Sequence, residues 1–161
     1  MTGVDELHVA GATYRVRRAT QEDLAEIVGL LLDDELGSGR ESADDLGPYR
    51  EAFAAIDADP AQLLVAVEDP AGLVVATSQL TFIPGLARRG AWRAQIEAVR
   101  LAAAHRSRGL GAALFAWAID ESRRRGCALI QLTTDKKRTD AHRFYDRLGF
   151  TASHEGYKMM L

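Results

Sequence analysis

The sequence has little cysteine: Cys127 is the only one among 161 residues. A single cysteine cannot form a disulfide within the chain, and no cluster of histidine and cysteine has the spacing of a zinc site. We therefore expect a protein of a reducing compartment, without a metal site.

Long apolar runs are missing as well. No uninterrupted apolar stretch approaches the roughly 18 residues that a membrane-spanning helix needs. The N-terminal segment contains Asp5 and Glu6 and lacks the basic start and apolar run of a signal peptide. These absences predict a cytoplasmic protein without a membrane partner.

A strong excess of positive charge is also absent. The formal net charge is -3 at pH 7, so no global positive field is available to hold nucleic acid. We expect no nucleic-acid partner, and any bound anion must be met by a local group of donors.

The composition that is present is that of an ordinary globular protein, with 47% apolar and 27% charged residues. A chain of 161 residues fits one domain, because single domains commonly run to about 100–200 residues. The sequence has no internal repeat and no linker long enough to divide it. Residues 1–161 are therefore expected to form a single domain.

Apolar periodicity and turn residues predict a mixed α/β fold. A strand, helix, strand order in the second half implies a locally parallel sheet. The predicted elements are an opening strand or hairpin around Tyr14, a helix capped by Thr20, a loop from Ser38 to Gly47, a helix from Pro48, strands at 63–68, 73–82 and 93–101, a helix from Gly109 to Arg125 ended by Gly126, a buried strand at 128–133, a helix at 141–148 and a final strand pair near 150–161.

One segment has the chemistry of an anion site. Between a predicted strand and the start of a predicted helix lies the run Arg106-Ser107-Arg108-Gly109-Leu110-Gly111-Ala112. The first turn of a helix leaves backbone N–H groups without internal partners, and its dipole makes that end partly positive. Glycines let phosphate oxygens approach the backbone closely, and arginines add local charge. A diphosphate would fit there, whereas the alternative is that the glycines only shape a loop and the arginines are solvated.

A dinucleotide-binding turn is a second interpretation of Gly109-Leu110-Gly111, with Asp135 placed to meet a ribose. That fingerprint requires a small residue at its third position, where this chain has Leu114. The turn should also follow its strand directly, but an arginine-rich connection intervenes. An oxidoreductase is therefore the less favoured reading.

The strand before this segment changes the phase of its apolar residues. Ala94, Ile96 and Ala98 share one alternation, whereas Val99 and Leu101 follow the other. An extra residue near Ala98 or Val99 would produce this change as a β-bulge and leave backbone groups free for an extended ligand. A strand that is covered on both faces explains the same residues equally well.

Three segments together resemble the GCN5-related N-acetyltransferase family: Ile96 to Val99, Arg106 to Gly111, and Asp140 to Phe150. The resemblance implies a mixed, mostly antiparallel sheet with a locally parallel, splayed strand pair and flanking helices. It also implies acetyl-CoA as cosubstrate, a small-molecule amine as acceptor, and the ability to form a homodimer. Within the family, Lys137-Arg138, Asp140 to Tyr145, Ser153-His154 and Lys158 resemble aminoalkylphosphonate N-acetyltransferases.

The resemblance assigns roles by position. Tyr145 matches a tyrosine near the thioester sulfur that can protonate departing coenzyme A, and Glu97 matches a carboxylate that removes a proton from the amine. The other implied residues contact the cosubstrate: Val99 and Leu101 along the pantetheine arm, Arg106, Ser107, Arg108, Gly109, Leu110, Gly111 and Ala112 around the pyrophosphate, and Phe144 in the groove.

Two departures from the family pattern put parts of this assignment in doubt. Arg138 stands where the family often has an asparagine that contacts the cofactor. Ser107 replaces a frequent glycine, which is tolerable if its backbone can adopt the loop conformation.

These residues support direct transfer, in which a neutral amine attacks the thioester. Glu97 could instead face solvent or pair with Arg100, and Tyr145 could be a packed aromatic. A transfer through an acyl intermediate on Cys127 is disfavoured, because this residue is distant in the chain from the expected sulfur site.

The acceptor itself is not identified by the sequence. The loops at Ser38 to Gly47 and Pro84 to Trp92 are expected to define its pocket, and Arg88, Arg89 and Arg93 favour an anionic acceptor. The histidines, His105 among them, have no evident acid partner by spacing alone. A protein that binds acyl-CoA as a sensor without turning it over is the alternative from another functional class.

Overall fold

The computed structural model describes residues 3–33 and 39–161. In this part of the chain six strands form one sheet, in which the spatial order follows the chain order. Neighbouring strands are antiparallel except for the last pair, which is parallel. The predicted mixed, mostly antiparallel sheet is confirmed. The strands are β1 (Asp5–Val9), β2 (Ala12–Arg18), β3 (Gln62–Glu68), β4 (Val74–Ile83), β5 (Trp92–Leu101) and β6 (Cys127–Gln131).

The helices also lie where the periodicity predicts them. Gly126 follows the third helix with a φ of 76°, the left-handed geometry that ends helices at glycine. At the first helix the Asp23 carboxylate accepts hydrogen bonds from the Thr20 amide at 2.7 Å and the Thr20 hydroxyl at 3.1 Å. The helices are α1 (Leu24–Leu32), α2 (Gly47–Ala58), α3 (Leu110–Arg124) and α4 (Thr139–Arg147), with 3-10 turns at Gln21–Asp23 and Ala103–His105 and a short helical turn at Ala87–Gly90.

The larger core lies between α3 and one face of the sheet. Leu110, Leu114 and Phe115 of α3 are buried there against strand residues such as Val65 and Leu80. Even-numbered residues from Ala76 to Phe82 in β4 and from Ala94 to Ile96 in β5 point to this face, because side chains alternate along a strand. Burial of this stripe holds α3, and therefore its N-terminus, firmly against the sheet.

A smaller core on the opposite face is covered by α1 and α2. Ile27 of α1 and Phe53 of α2 pack with Leu64 and Ala66 of β3. The odd-numbered residues of β4 from Thr77 to Thr81 also point to this face, and they are polar. Helix packing on both faces agrees with the predicted α/β architecture.

The predicted bulge is present in β5. Thr77 pairs with Arg100 and Gln79 pairs with Glu97, so β5 carries one residue more than β4 between these pairs. Ala98 has a φ of 51°, a left-handed conformation that costs a non-glycine residue about 1–2 kcal/mol. The bulge therefore reverses the alternation of β5 after Ala98, as the change in apolar phase indicated.

The parallel strands β5 and β6 part after a short pairing. Their last paired residues are Gln95 and Gln131, although β5 continues to Leu101. Beyond that pair, within the described residues, no strand pairs with β5 on its β6 side. The two strands thus open into a gap beside the bulge, which fits the expected splayed pair.

Two details at the end of the chain differ from the predictions. The strand predicted at 128–133 is β6 at Cys127–Gln131, and it is only partly buried because one of its edges has no strand beside it in the described chain. The final strand pair predicted near 150–161 is wrong: residues 151–161 are exposed and have no regular structure. Apolar alternation at 157–161 suits a strand, but among residues 3–33 and 39–161 no neighbouring strand provides hydrogen-bond partners.

The two loops expected to bound the acceptor are described in part. Ser38 lies outside the described residues, and 39–46 form turns and irregular backbone before α2. In the loop from Pro84 to β5, Arg88 and Arg89 both have positive φ, at 56° and 61°. Across residues 3–33 and 39–161, no helix is both long and apolar enough to cross a lipid bilayer.

Candidate active site

The N-terminus of α3 presents a row of backbone donors. The amide of Ala113 is the first to bond within the helix, at 3.0 Å from the Gly109 carbonyl. The amides of Ser107 to Ala112 donate to no acceptor in the described part of the chain. These donors lie where the helix dipole is positive, so the segment suits an anion.

The loop before α3 bends through two left-handed residues. Ser107 has a φ of 58° and Gly109 a φ of 91°. Residues that alternate with left-handed ones turn successive N–H groups toward one concave surface, the geometry of an anion nest. Ser107 therefore adopts a left-handed conformation that favours glycine, at the steric cost of a side chain there.

Little space separates Gly111, at the start of α3, from its neighbours on α4 and β5. A Cβ placed on Gly111 would lie 3.6 Å from Cζ of Phe144 and 3.8 Å from Cδ2 of Leu101. The helix start thus lies close to α4 and to the end of β5. A side chain at Gly111 would fill the space between them, so the residues present fit an extended ligand with a diphosphate.

The two arginines of the segment have different surroundings. Arg108 is exposed and forms no ion pair within the described residues, so its charge is available to a phosphate. Arg106 is engaged: its guanidinium donates to the Leu101 carbonyl at 2.9 Å and to the Asp33 carboxylate at 2.7 Å. Its amide donates to the Ala103 carbonyl at 3.2 Å. Arg106 thus ties the end of α1 to β5, and its contact with the pyrophosphate stays a prediction.

The backbone of β5 beside the gap is partly engaged. The Leu101 carbonyl accepts from Arg106, and the Val99 carbonyl accepts from a guanidinium nitrogen of Arg100 at 2.9 Å. A carbonyl oxygen has a second lone pair, so both remain able to accept another bond. Val99 and Leu101 thus lie beyond the end of the β5–β6 pairing, beside the gap, and their contact with a pantetheine arm stays a prediction.

Tyr145 lies on α4 within an aromatic cluster. Its ring centroid is 5.6 Å from those of Phe115 and Phe144 and 6.1 Å from that of Phe150. Its hydroxyl forms no hydrogen bond with any described residue. The residue is half-buried, so its ring is fixed by packing while its hydroxyl has no protein partner to compete with a ligand.

The ionisation of Tyr145 is shifted by its surroundings. Burial raises the pKa of the hydroxyl above its usual value of 10.0, and the positive charges of Arg138 and Arg100 oppose that rise. Desolvation dominates because it penalises the phenolate. Tyr145 is therefore protonated at neutral pH and can donate a proton.

Glu97 lies on the other side of the bulge from Val99. It is exposed, pairs across the sheet with Gln79 of β4, and forms no ion pair with Arg100. Ile96 beside it is buried toward α3, so the Glu97 side chain points to the opposite face. The helices α1 and α2 cover that face only in part and leave Glu97 exposed, and we call this exposed part the open face. The alternative of a Glu97–Arg100 pair is not seen.

Other candidates lie away from the gap or have partners that spacing did not indicate. Cys127 pairs with Trp92 at the far end of the parallel pair, and burial raises the pKa of its thiol, which disfavours a thiolate nucleophile. The His105 ring is 3.1 Å from the Tyr14 hydroxyl and 4.0 Å from the Asp69 carboxylate. Only the fold brings these three together.

Sequence reasoning also missed a polar network on the open face. Gln62 Oε1 accepts hydrogen bonds from Gln79 Nε2 at 3.0 Å and from Thr81 Oγ1 at 2.8 Å. The alternation of polar residues 79 and 81 along β4 was the available signal, but it does not specify partners on another strand.

Comparison with known proteins gives consistent matches over most of the chain. The sequence pattern of the acetyltransferase (GNAT) family matches residues 13–150. The aminoalkylphosphonate N-acetyltransferase of Salmonella typhimurium strain LT2 is 32% identical over 145 residues, which cover 86% of each chain.

Solved structures of other proteins also match most of this chain. One from Bacillus halodurans C-125, described as a transcriptional regulator, has 46% identity and a TM-score of 0.86 over 91% of this chain and 98% of its own. An acetyltransferase from Trypanosoma brucei, at 24% identity, supports the fold with a TM-score of 0.71 over 92% and 99% of the two chains.

Proposed function

Because the chain belongs to the acetyltransferase (GNAT) family, we propose that it acetylates the primary amine of a small anionic molecule of the aminoalkylphosphonate type. The family uses acetyl-CoA as the acetyl donor. The observation that carries the proposal is the row of amides from Ser107 to Ala112, without protein acceptors, at the start of α3. It lies beside the gap between β5 and β6.

The cosubstrate would be held along one continuous surface. The amides from Ser107 to Ala112 and the Arg108 side chain would bind the diphosphate. The backbone at Val99 and Leu101 would pair with the pantetheine arm, and Phe144 would contact it from α4. When bound, acetyl-CoA supplies a thioester whose carbonyl carbon accepts a nucleophile.

Glu97 and Tyr145 would carry the proton transfers. The Glu97 carboxylate accepts a proton from the acceptor's ammonium group, because only the neutral amine is nucleophilic. As the carbon–nitrogen bond forms and the carbon–sulfur bond breaks, Tyr145 donates its hydroxyl proton to the departing sulfur, and the nitrogen releases its second proton to solvent. The charges of Arg138 and Arg100 stabilise the phenolate that remains until it is reprotonated.

An anionic acceptor is supported by two observations. The Salmonella relative is named for aminoalkylphosphonates. Arg93 lies on the same face of β5 as Glu97, and its Nε is buried without a hydrogen-bond partner among the described residues. Their Cα atoms are about 13 Å apart along the strand, so one face of β5 carries both a cation and a carboxylate.

The test is a panel of acceptors with acetyl-CoA, in which release of coenzyme A thiol is measured. We expect 2-aminoethylphosphonate to give the highest kcat/KM, its carboxylate analogue β-alanine a lower value, and ethylamine the lowest. Replacement of Arg93 by Met should reduce the difference in kcat/KM between 2-aminoethylphosphonate and ethylamine. Equal turnover of all three would contradict the anionic class, and no thiol release with any amine would contradict the transferase.

A second candidate is favoured by the Bacillus halodurans chain, which is described as a transcriptional regulator. A protein that senses acyl-CoA would retain the donors at α3 without catalysis. Binding of acetyl-CoA by calorimetry, together with no thiol release across the panel, would favour this sensor.

A further inference from the structure

The open face of the sheet is the side from which an acceptor can reach the gap. On the other face the large core of α3 fills the space, and Leu80 and Ile96 are buried in it. Gln79 precedes Leu80 and Glu97 follows Ile96, so both side chains point to the opposite face of the sheet. Because they are a directly opposed pair in antiparallel strands, their Cβ atoms lie about 5 Å apart.

Gln79 is held in one orientation by its neighbours. Its Nε2 donates to Gln62 Oε1 at 3.0 Å, and the same oxygen accepts from Thr81 Oγ1 at 2.8 Å. With its nitrogen directed toward β3, the Gln79 side-chain oxygen makes no hydrogen bond in the described part of the chain. The face therefore presents two neighbouring acceptors, a carboxylate and an amide carbonyl.

Resting on the proposed function, we propose that Gln79 is a positioning residue for the acceptor's amine. Its side-chain oxygen accepts a hydrogen bond from the amino group while Glu97 removes a proton from the same nitrogen. The network of Gln62 and Thr81 keeps the amide of Gln79 in the orientation that this bond requires.

This arrangement selects primary amines. After Glu97 has removed one proton from a primary ammonium, two N–H groups remain, one of which donates to Gln79 while the lone pair attacks. An N-methyl amine has one fewer N–H, so it more often leaves the Gln79 oxygen without a donor at the moment of attack. A bond that only tied the sheet together would give no such preference.

The experiment compares wild type and Gln79→Leu with 2-aminoethylphosphonate and its N-methyl analogue as acceptors. We expect KM for the primary amine to rise about tenfold and KM for acetyl-CoA to stay unchanged. The preference for the primary over the N-methyl amine should fall by a similar factor. Gln62→Leu, which leaves Gln79 present but unrestrained, should give a smaller change in the same direction.

Gln79→Glu gives an independent readout. A second carboxylate beside Glu97 repels its negative charge, so the acid limb of kcat/KM against pH should move upward. Gln21 is an exposed glutamine in the turn before α1, so Gln21→Leu is the matched control. It should change neither the preference for the primary amine nor the pH profile of kcat/KM.

The outcomes separate the two proposals. Gln79→Leu is compared with an active wild type once its thermal transition shows that it is folded. If this variant keeps the primary-amine preference and the same KM, the role of Gln79 is overturned and the proposed function is untouched. An unshifted pH profile in Gln79→Glu does the same. A wild type that releases no thiol with any amine overturns the proposed function and this inference together.

Discussion

Replacement of Tyr145 by Phe removes one oxygen from the proposed site. The ring packs against Phe115, Phe144 and Phe150, and a phenylalanine ring can keep all three contacts. The hydroxyl has no hydrogen-bond partner in the described chain, so its loss leaves no protein group unsatisfied. The free energy of unfolding should therefore change by less than about 0.5 kcal/mol.

The effect on catalysis should be much larger. A positioned general acid contributes roughly 10²-fold to 10⁴-fold to a rate, and the raised pKa of Tyr145 keeps this acid protonated at neutral pH. We expect kcat to fall at least about 100-fold. KM for acetyl-CoA should stay within about twofold, because the diphosphate donors of α3 are untouched.

Thiol release measured against both substrates separates these quantities. Tyr157→Phe is the matched control, since Tyr157 is 90% exposed and lies outside the aromatic cluster. A Tyr145→Phe enzyme with at least half of the wild-type kcat would refute the role of general acid. Equal losses in the two variants would refute it as well.

Three further changes test other parts of the structure. Glu97→Gln should lower kcat/KM at neutral pH by about 100-fold and abolish the acid limb of its pH profile; a profile that keeps this limb would exclude Glu97 as the base. Ser107→Gly relieves a side chain held at a φ of 58°, so urea denaturation should show a gain of about 0.5–1 kcal/mol, and a loss would contradict the strain. Burial raises the pKa of Asp23, but hydrogen bonds from Arg17 and Thr20 outweigh it and hold the pKa below 3.8. The stability that this carboxylate contributes is present above pH 3.8 and is lost as the pH falls through the lowered pKa. The difference in unfolding free energy between wild type and Asp23→Asn should therefore narrow in acid, and a constant difference would contradict the linkage.

Local patterns predicted the elements that carry the proposed cosubstrate surface, although the phase change and the glycine-containing segment each allowed a second interpretation. The bulge at Ala98 appears in the sequence as a change of apolar phase, because one extra residue reverses the faces of a strand. The donors before α3 appear as a glycine-containing segment at a helix start. Both features depend on residues that are neighbours in the chain, so no knowledge of distant contacts was needed.

The features that the sequence did not reveal depend on distant residues. Gln62 and Gln79 meet only because β3 and β4 pair in a particular register. Arg106 looked like a phosphate ligand because nothing near it indicated that Asp33 would engage its guanidinium. The strand pair predicted at the end of the chain failed for a related reason, since apolar alternation indicates a suitable strand but not a partner.

The account depends most on the claim that the backbone amides of Ser107 to Ala112 bind a diphosphate. Amide NMR of the labelled protein, titrated with coenzyme A and in parallel with pantetheine, measures this directly because pantetheine lacks the diphosphate. We expect large shifts of these amide resonances with coenzyme A and small ones with pantetheine. Unchanged resonances with coenzyme A, or equal shifts with both compounds, would contradict the claim.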